Sequence, residues 1–107
     1  MTRRFEVPEH KVPALGERVF LDVGGKFLIL FNIEGQFYAI EDSCPHQGAS
    51  LFSGKLEGCM IQCSAHGLRF NLKDGCMLNS DMLKVKTYPI EINETNIVIM
   101  LEDGVGT

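Results

Sequence analysis

The sequence predicts an all-β fold, a small antiparallel sandwich or barrel. Short runs rich in Val, Ile, Phe and Tyr recur at close intervals, and turn-forming residues separate them. No long stretch repeats its apolar residues at helical spacing, so no helix competes with the strands for the core. The longest unbroken apolar runs, "FLILF" at 27–31 and "IVIML" at 97–101, suit buried strands and are far too short to cross a bilayer.

Taken in order, the expected strands are 18–23 (RVFLDV), 26–33 (KFLILFNI), 37–40 (FYAI), 59–63 (CMIQC), 68–72 (LRFNL), 84–92 (KVKTYPIEI) and 96–101 (NIVIML). Turn signals stand between them at 24–25 (GG), 34–36 (EGQ), 57–58 (EG), 73–75 (KDG) and 93–96 (NETN). In the run 84–92, Val85, Thr87, Pro89 and Glu91 would share one face, and Lys86, Tyr88, Ile90 and Ile92 the other. Pro89 lacks an N–H and so suits an edge or a bulge. Residues 102–107 read as a frayed tail. No repeat or internal boundary is visible, and 107 residues suit one domain, 1–107, with a single modest core.

Composition excludes some functions. The net charge of −4 is spread along the chain without a basic cluster, which argues against nucleic acid. The Arg3–Arg4 pair near the start lacks the apolar stretch an export signal needs, so both read as surface charge. A cytoplasmic protein with no membrane partner is expected. In a reducing compartment its four cysteines (Cys44, Cys59, Cys63, Cys76) point to metal or redox chemistry before disulfides.

Two segments carry that chemistry. "SCPHQG" (43–48) places Cys44 and His46 one residue apart between proline and glycine. After 16 intervening residues, "CSAHG" (63–67) offers Cys63 and His66. The first segment follows a strand and is full of turn formers. The second replaces the tip of a hairpin between "CMIQ" and "LRFNL", so both sit on loops held by a sheet. Two thiolates and two imidazoles suit a soft or borderline metal. One possibility is a closed tetrahedral zinc site, although zinc fingers group cysteine with cysteine and histidine with histidine. The other is a binuclear [2Fe-2S] centre, with two cysteines on one iron and two histidines on the other.

Cys44-Pro45-His46-Gln47-Gly48 and Cys63-Ser64-Ala65-His66-Gly67 resemble the two boxes of a Rieske protein, and residues 35–75 are similar throughout to Rieske-type ferredoxins of bacterial oxygenase systems. The resemblance implies a Rieske fold whose cluster-binding subdomain, about 41–75, is formed by two loops. It implies that Cys44, His46, Cys63 and His66 bind one [2Fe-2S] cluster. The cysteine-ligated iron should sit inward behind Leu51, Phe52, Leu68 and Phe70, with the edges of His46 and His66 toward solvent.

The same resemblance bears on potential. High-potential members carry a second cysteine in each box, where Ala49 and Ala65 stand here, so no disulfide between the loops is expected. They also place hydroxyls where this chain has Leu68 and Phe70. Hydrogen bonds to the sulfurs raise the potential. A value near the low end of the Rieske range, about −150 mV, is therefore expected. Iron bound through both histidines should acidify their outer nitrogens, at alkaline pH only.

A monomeric one-electron carrier follows from the resemblance, and not an enzyme in its own right. Its partners would be a flavoprotein reductase fed by NAD(P)H and a terminal oxygenase that hydroxylates aromatic rings. Both would dock near His46 and His66, with Gln47, Ser64 and Ala65 at the tip. No small-molecule substrate is expected. Rival readings are a Rieske-fold redox sensor or regulatory module, the small subunit of a nitrite reductase, and a zinc-stabilised structural module. The chain departs from the family at Ser64, where proline is common, and in the proline-free segment 76–84. His10 reads as a surface histidine, and Cys59 and Cys76 as small buried fillers.

Overall fold

A computed structural model of the chain describes residues 2–44, 50–64, 67–78, 83–94 and 96–102. Ten strands and one short 3-10 turn at Glu9–Lys11 occur among them, with no α-helix. No helix among the described residues is long and apolar enough to cross a membrane.

Two tight turns build the central sheet. Gly24–Gly25 joins β2 (Arg18–Val23) to β3 (Lys26–Ile33), and Glu34–Gly35 joins β3 to β4 (Gln36–Glu41). Two-residue loops fix an antiparallel register locally, here Val23 opposite Lys26 and Ile33 opposite Gln36. The short strand β8 (Thr87–Tyr88) then pairs with β4, Ala39 opposite Tyr88.

β3 accounts for the unbroken apolar run. Leu28 and Leu30 enter one buried cluster, while Ile29 and Phe31 enter a second on the other face. A strand covered on both faces has no reason to alternate. The first cluster lies between the central sheet and an outer sheet ordered β1 (Thr2–Glu6), β10 (Asn96–Glu102), β9 (Ile90–Asn93). There Leu21, Leu28, Leu30 and Tyr88 meet Val7, Ile97, Ile99 and Leu101. The second cluster lies between the central sheet and a small sheet of β5 (Lys55–Glu57), β6 (Met60–Gln62) and β7 (Arg69–Asn71).

The all-β antiparallel expectation holds, with three departures. The run 84–92 is not one strand: it breaks at Pro89, with β8 in the central sheet and β9 in the outer one. Pro89 has no N–H to give to a ladder, so the chain changes sheets there, while its carbonyl still accepts from the Met100 N–H at 2.9 Å. The expected alternation fails as a result: Val85 and Tyr88 are both buried, and Ile92 is 58% exposed. β1 carries no strand pattern and forms by pairing with β10, Phe5 opposite Ile99. β5 falls where a loop and turn were expected, and its three residues pair with β6. Of the expected tail, residue 102 ends β10 and 103–107 lie outside the described residues.

Tyr88 links this frame to alkaline stability. Its phenol is buried, and its hydroxyl donates to Glu41 Oε1 at 3.2 Å. Burial first, and the Glu41 carboxylate second, push its pKa well above the usual value of about 10. A group raised on folding contributes stability that is whole below the unfolded value and is lost as pH rises through the folded one. Stability is therefore expected to fall as pH climbs above about 10. Tyr88→Phe should flatten that fall, as read by urea midpoints across the alkaline range.

Candidate metal centre

The first box leaves β4 under restraint. The Asp42 N–H donates to the Phe27 carbonyl at 2.8 Å and the Ser43 N–H to the Glu41 carbonyl at 2.9 Å, so the chain is pinned until Cys44, which is buried. After the box the chain returns to Asp42. The Leu51 N–H (2.7 Å) and Phe52 N–H (3.0 Å) donate to its Oδ1, and the Ser50 hydroxyl lies 2.9 Å from both carboxylate oxygens. A turn follows, closed by the Gly54 N–H on the Leu51 carbonyl at 2.9 Å. Arg18 Nη1 holds the Gly54 carbonyl at 2.8 Å. Only glycine fits there, because a Cβ would stand 2.2 Å from the Gln62 carbonyl oxygen of β6.

The second box turns on itself. The Cys63 N–H donates to the Leu68 carbonyl at 2.7 Å, and the Gly67 N–H returns to the Cys63 carbonyl at 2.8 Å. Gln62 Nε2 adds a bond to the Gly67 carbonyl at 3.2 Å. As expected, this box is the tip of a hairpin, because β6 and β7 pair with Ile61 opposite Phe70.

The two cysteines share one apolar bed. Cys44 and Cys63 belong to a single buried cluster with Leu51, Ile61, Phe70 and Leu72, closed from the central sheet by Ile29, Phe31 and Ile40. Val85 completes it, held by its N–H on the Gly75 carbonyl at 2.9 Å. The segment after β7 also lies against the hairpin: Cys76 bridges Lys84, and the Leu78 N–H donates to the Arg69 carbonyl at 2.8 Å. Soft thiols gathered in a dry bed are chemically suited to iron and ill suited to hard oxygen-seeking cations.

Expectation and structure meet on part of the site. Cys44 and Cys63 are both buried in one cluster, Leu51 and Phe70 are fully buried in it with them, and Leu68 packs at the margin. Phe52 does not shield them: it is 36% exposed and turns outward to Phe20, edge to face at 6.0 Å, under the Arg18 guanidinium. Cys59 and Cys76 are half-buried, not buried. Burial first, then the neighbouring Cys59, raises the Tyr38 phenol. His10 is exposed, as expected. Ser64 is exposed at the second tip, whereas His46, His66, Gln47, Ala49, Ala65 and residues 79–82 lie outside the described residues. Among the described residues no group of three or more His, Cys, Asp or Glu comes together.

Asp42 and Arg18 are parts of the site that sequence reasoning missed. An acidic residue two places before Cys44 reads as an ordinary loop residue. Its partners stand 8 to 10 residues on, at no spacing that predicts a contact.

Comparison with known proteins agrees with this geometry. The family model of the Rieske [2Fe-2S] domain matches residues 4–89. The ferredoxin component of naphthalene 1,2-dioxygenase/salicylate 5-hydroxylase systems from Ralstonia sp is 35% identical over 88 residues, 81% of this chain and 85% of that protein. The 3-phenylpropionate/cinnamic acid dioxygenase ferredoxin subunit of Shigella boydii is 36% identical over 108 residues, 97% of this chain and 98% of its own. Among solved structures, a chain in the complex of reduced oxygenase and oxidized ferredoxin of carbazole 1,9a-dioxygenase superposes with a TM-score of 0.78 at 30% identity, covering 90% of this chain and 91% of that one. With most of its length matched, two cysteine loops on an all-β frame and relatives of this kind, the chain belongs to the Rieske [2Fe-2S] domain family.

Proposed function

We propose that the chain is a single-domain, monomeric one-electron carrier of the cytoplasm. It takes electrons from an NAD(P)H-dependent flavoprotein reductase and passes them to a terminal oxygenase that hydroxylates aromatic rings. The observation that carries this reading is the burial of Cys44 and Cys63, each on a tied loop, in one apolar cluster. Relatives named as ferredoxin components of dioxygenase systems support the direction of the electron flow. The chain is an electron-transfer component and leaves catalysis to its partner.

Each residue has a stated part in this reading. Cys44 and Cys63 would hold one iron, and His46 and His66 the other. When bound, the [2Fe-2S] group supplies a one-electron couple of low potential. Leu51, Ile61 and Phe70 keep water from the sulfurs. Leu68 and Phe70 give those sulfurs no hydroxyl bond, which keeps the couple reducing. Ser64, exposed at the second tip, is small and uncharged, and suits a close and brief contact with either partner.

A potentiometric titration of freshly purified protein, followed by visible absorption and EPR, tests the reading. A red-brown protein with a Rieske-type reduced signal and a midpoint near about −150 mV is expected. A midpoint near the upper limit of the Rieske range, about +300 mV, would remove the low-potential assignment. A colourless zinc protein that iron and sulfide fail to reconstitute would remove the carrier altogether.

A further inference from the structure

Asp42 stands where both ends of the first Cys/His loop meet. Its own N–H is fixed to the Phe27 carbonyl of β3 at 2.8 Å, so its position is set by the central sheet. Its carboxylate receives the amides of Leu51 and Phe52 and the hydroxyl of Ser50, the three residues on which the loop returns. The described chain on either side of the first box, Asp42 to Cys44 and Ser50 to Phe52, is thereby tied by one side chain. No strand ladder does the same work, because Ser50, Leu51 and Phe52 belong to no strand.

We propose that Asp42 is the positioning residue of the first box: by gathering Ser50, Leu51 and Phe52 it fixes the returning end of the loop that begins at Cys44. The inference rests on the carrier reading above, and its role is to keep the ligands in place through repeated redox cycles. Both amides share Oδ1, and among the described residues Oδ2 meets only the Ser50 hydroxyl. An asparagine can therefore reproduce the tie, with the hydroxyl rotated to accept from its amide. The tie depends on geometry more than on charge.

The test compares wild-type holoprotein with Asp42→Asn, Asp42→Ala and, as a control of global stability, Val98→Ala at a buried position of β10 in the outer sheet. Two readouts are taken: bleaching of the visible absorption under an iron chelator, and hydrogen exchange of the Leu51 and Phe52 amides. Asp42→Ala is expected to bleach about tenfold faster or more, the factor that corresponds to losing about one or two hydrogen bonds. Its two amides should lose their protection. Asp42→Asn should stay within about threefold of wild type on both readouts, and Val98→Ala should leave the two amides protected. Equal bleaching in wild type and Asp42→Ala would overturn the proposal. So would an Asp42→Asn variant as fast as alanine, or a Val98→Ala variant that accelerates bleaching to the same degree. If Asp42→Ala does not fold, the wild-type amides decide, since exchange at the rate of open loop amides would also overturn it. A wild-type protein that carries no cluster would refute the carrier reading, and the amide readout would still judge the tie.

Discussion

Phe70→Ala is expected to lower stability by about 3–5 kcal/mol, through the lost transfer energy of a buried ring and the cavity it leaves. Phe70 has no exposed surface, stands opposite Ile61 on β6 and bridges Met77 of the following segment. It also packs in the cluster that contains Cys44 and Cys63, so its loss loosens the bed of both. The check is a shift in urea midpoint, read by far-UV circular dichroism, with an unchanged slope. Phe52→Ala is the contrast. That ring is 36% exposed and meets Phe20 edge to face, a contact worth about 0.5–1.5 kcal/mol. If the two variants lose the same stability, the separation of shielding and outward aromatics is wrong.

Gly75→Ala should cost about 2–5 kcal/mol, combining a left-handed backbone with a steric clash. Gly75 has φ +80, and a Cβ there would stand 2.1 Å from the Val85 carbonyl oxygen and 3.2 Å from Thr87 Cγ2. The nearest obstacle is backbone. Gly75 accepts from Val85 at 2.9 Å and donates to Asn71 at 2.7 Å, and neither atom can withdraw without breaking that turn. Gly58→Ala isolates the backbone part. At φ +57 with nothing within 4 Å of the added atom, it should show only the left-handed cost of about 1–2 kcal/mol. Thermal unfolding of the two variants side by side would separate the contributions, and equal losses would show that the Val85 contact yields.

Much of the frame and half of the site were legible in the residues alone. Gly24–Gly25 and Glu34–Gly35 join neighbouring strands, and a two-residue turn sets its own register without help from elsewhere. The second Cys/His box was readable as a hairpin tip for the same reason, since β6 and β7 flank it directly. Membership of the Rieske family was readable from the residue types and spacing of the two boxes. What such patterns reveal is interaction over a few residues, where chain geometry leaves few alternatives.

Tertiary structure decided whatever depends on partners far along the chain. β1 has no strand pattern and exists because β10, more than 90 residues later, offers it an edge. Pro89 marks a break, but only the presence of two sheets decides that β8 and β9 part there. Phe52 and Phe70 look alike in sequence, yet one meets Phe20 on the outside and the other fills the bed below Cys63. Asp42 gains its role from three donors that return to it after the box. Local turn geometry and residue chemistry were carried by the sequence itself. Which face is covered, and by what, was settled only when separate sheets closed over two cores, because burial belongs to the packed molecule and not to any one segment.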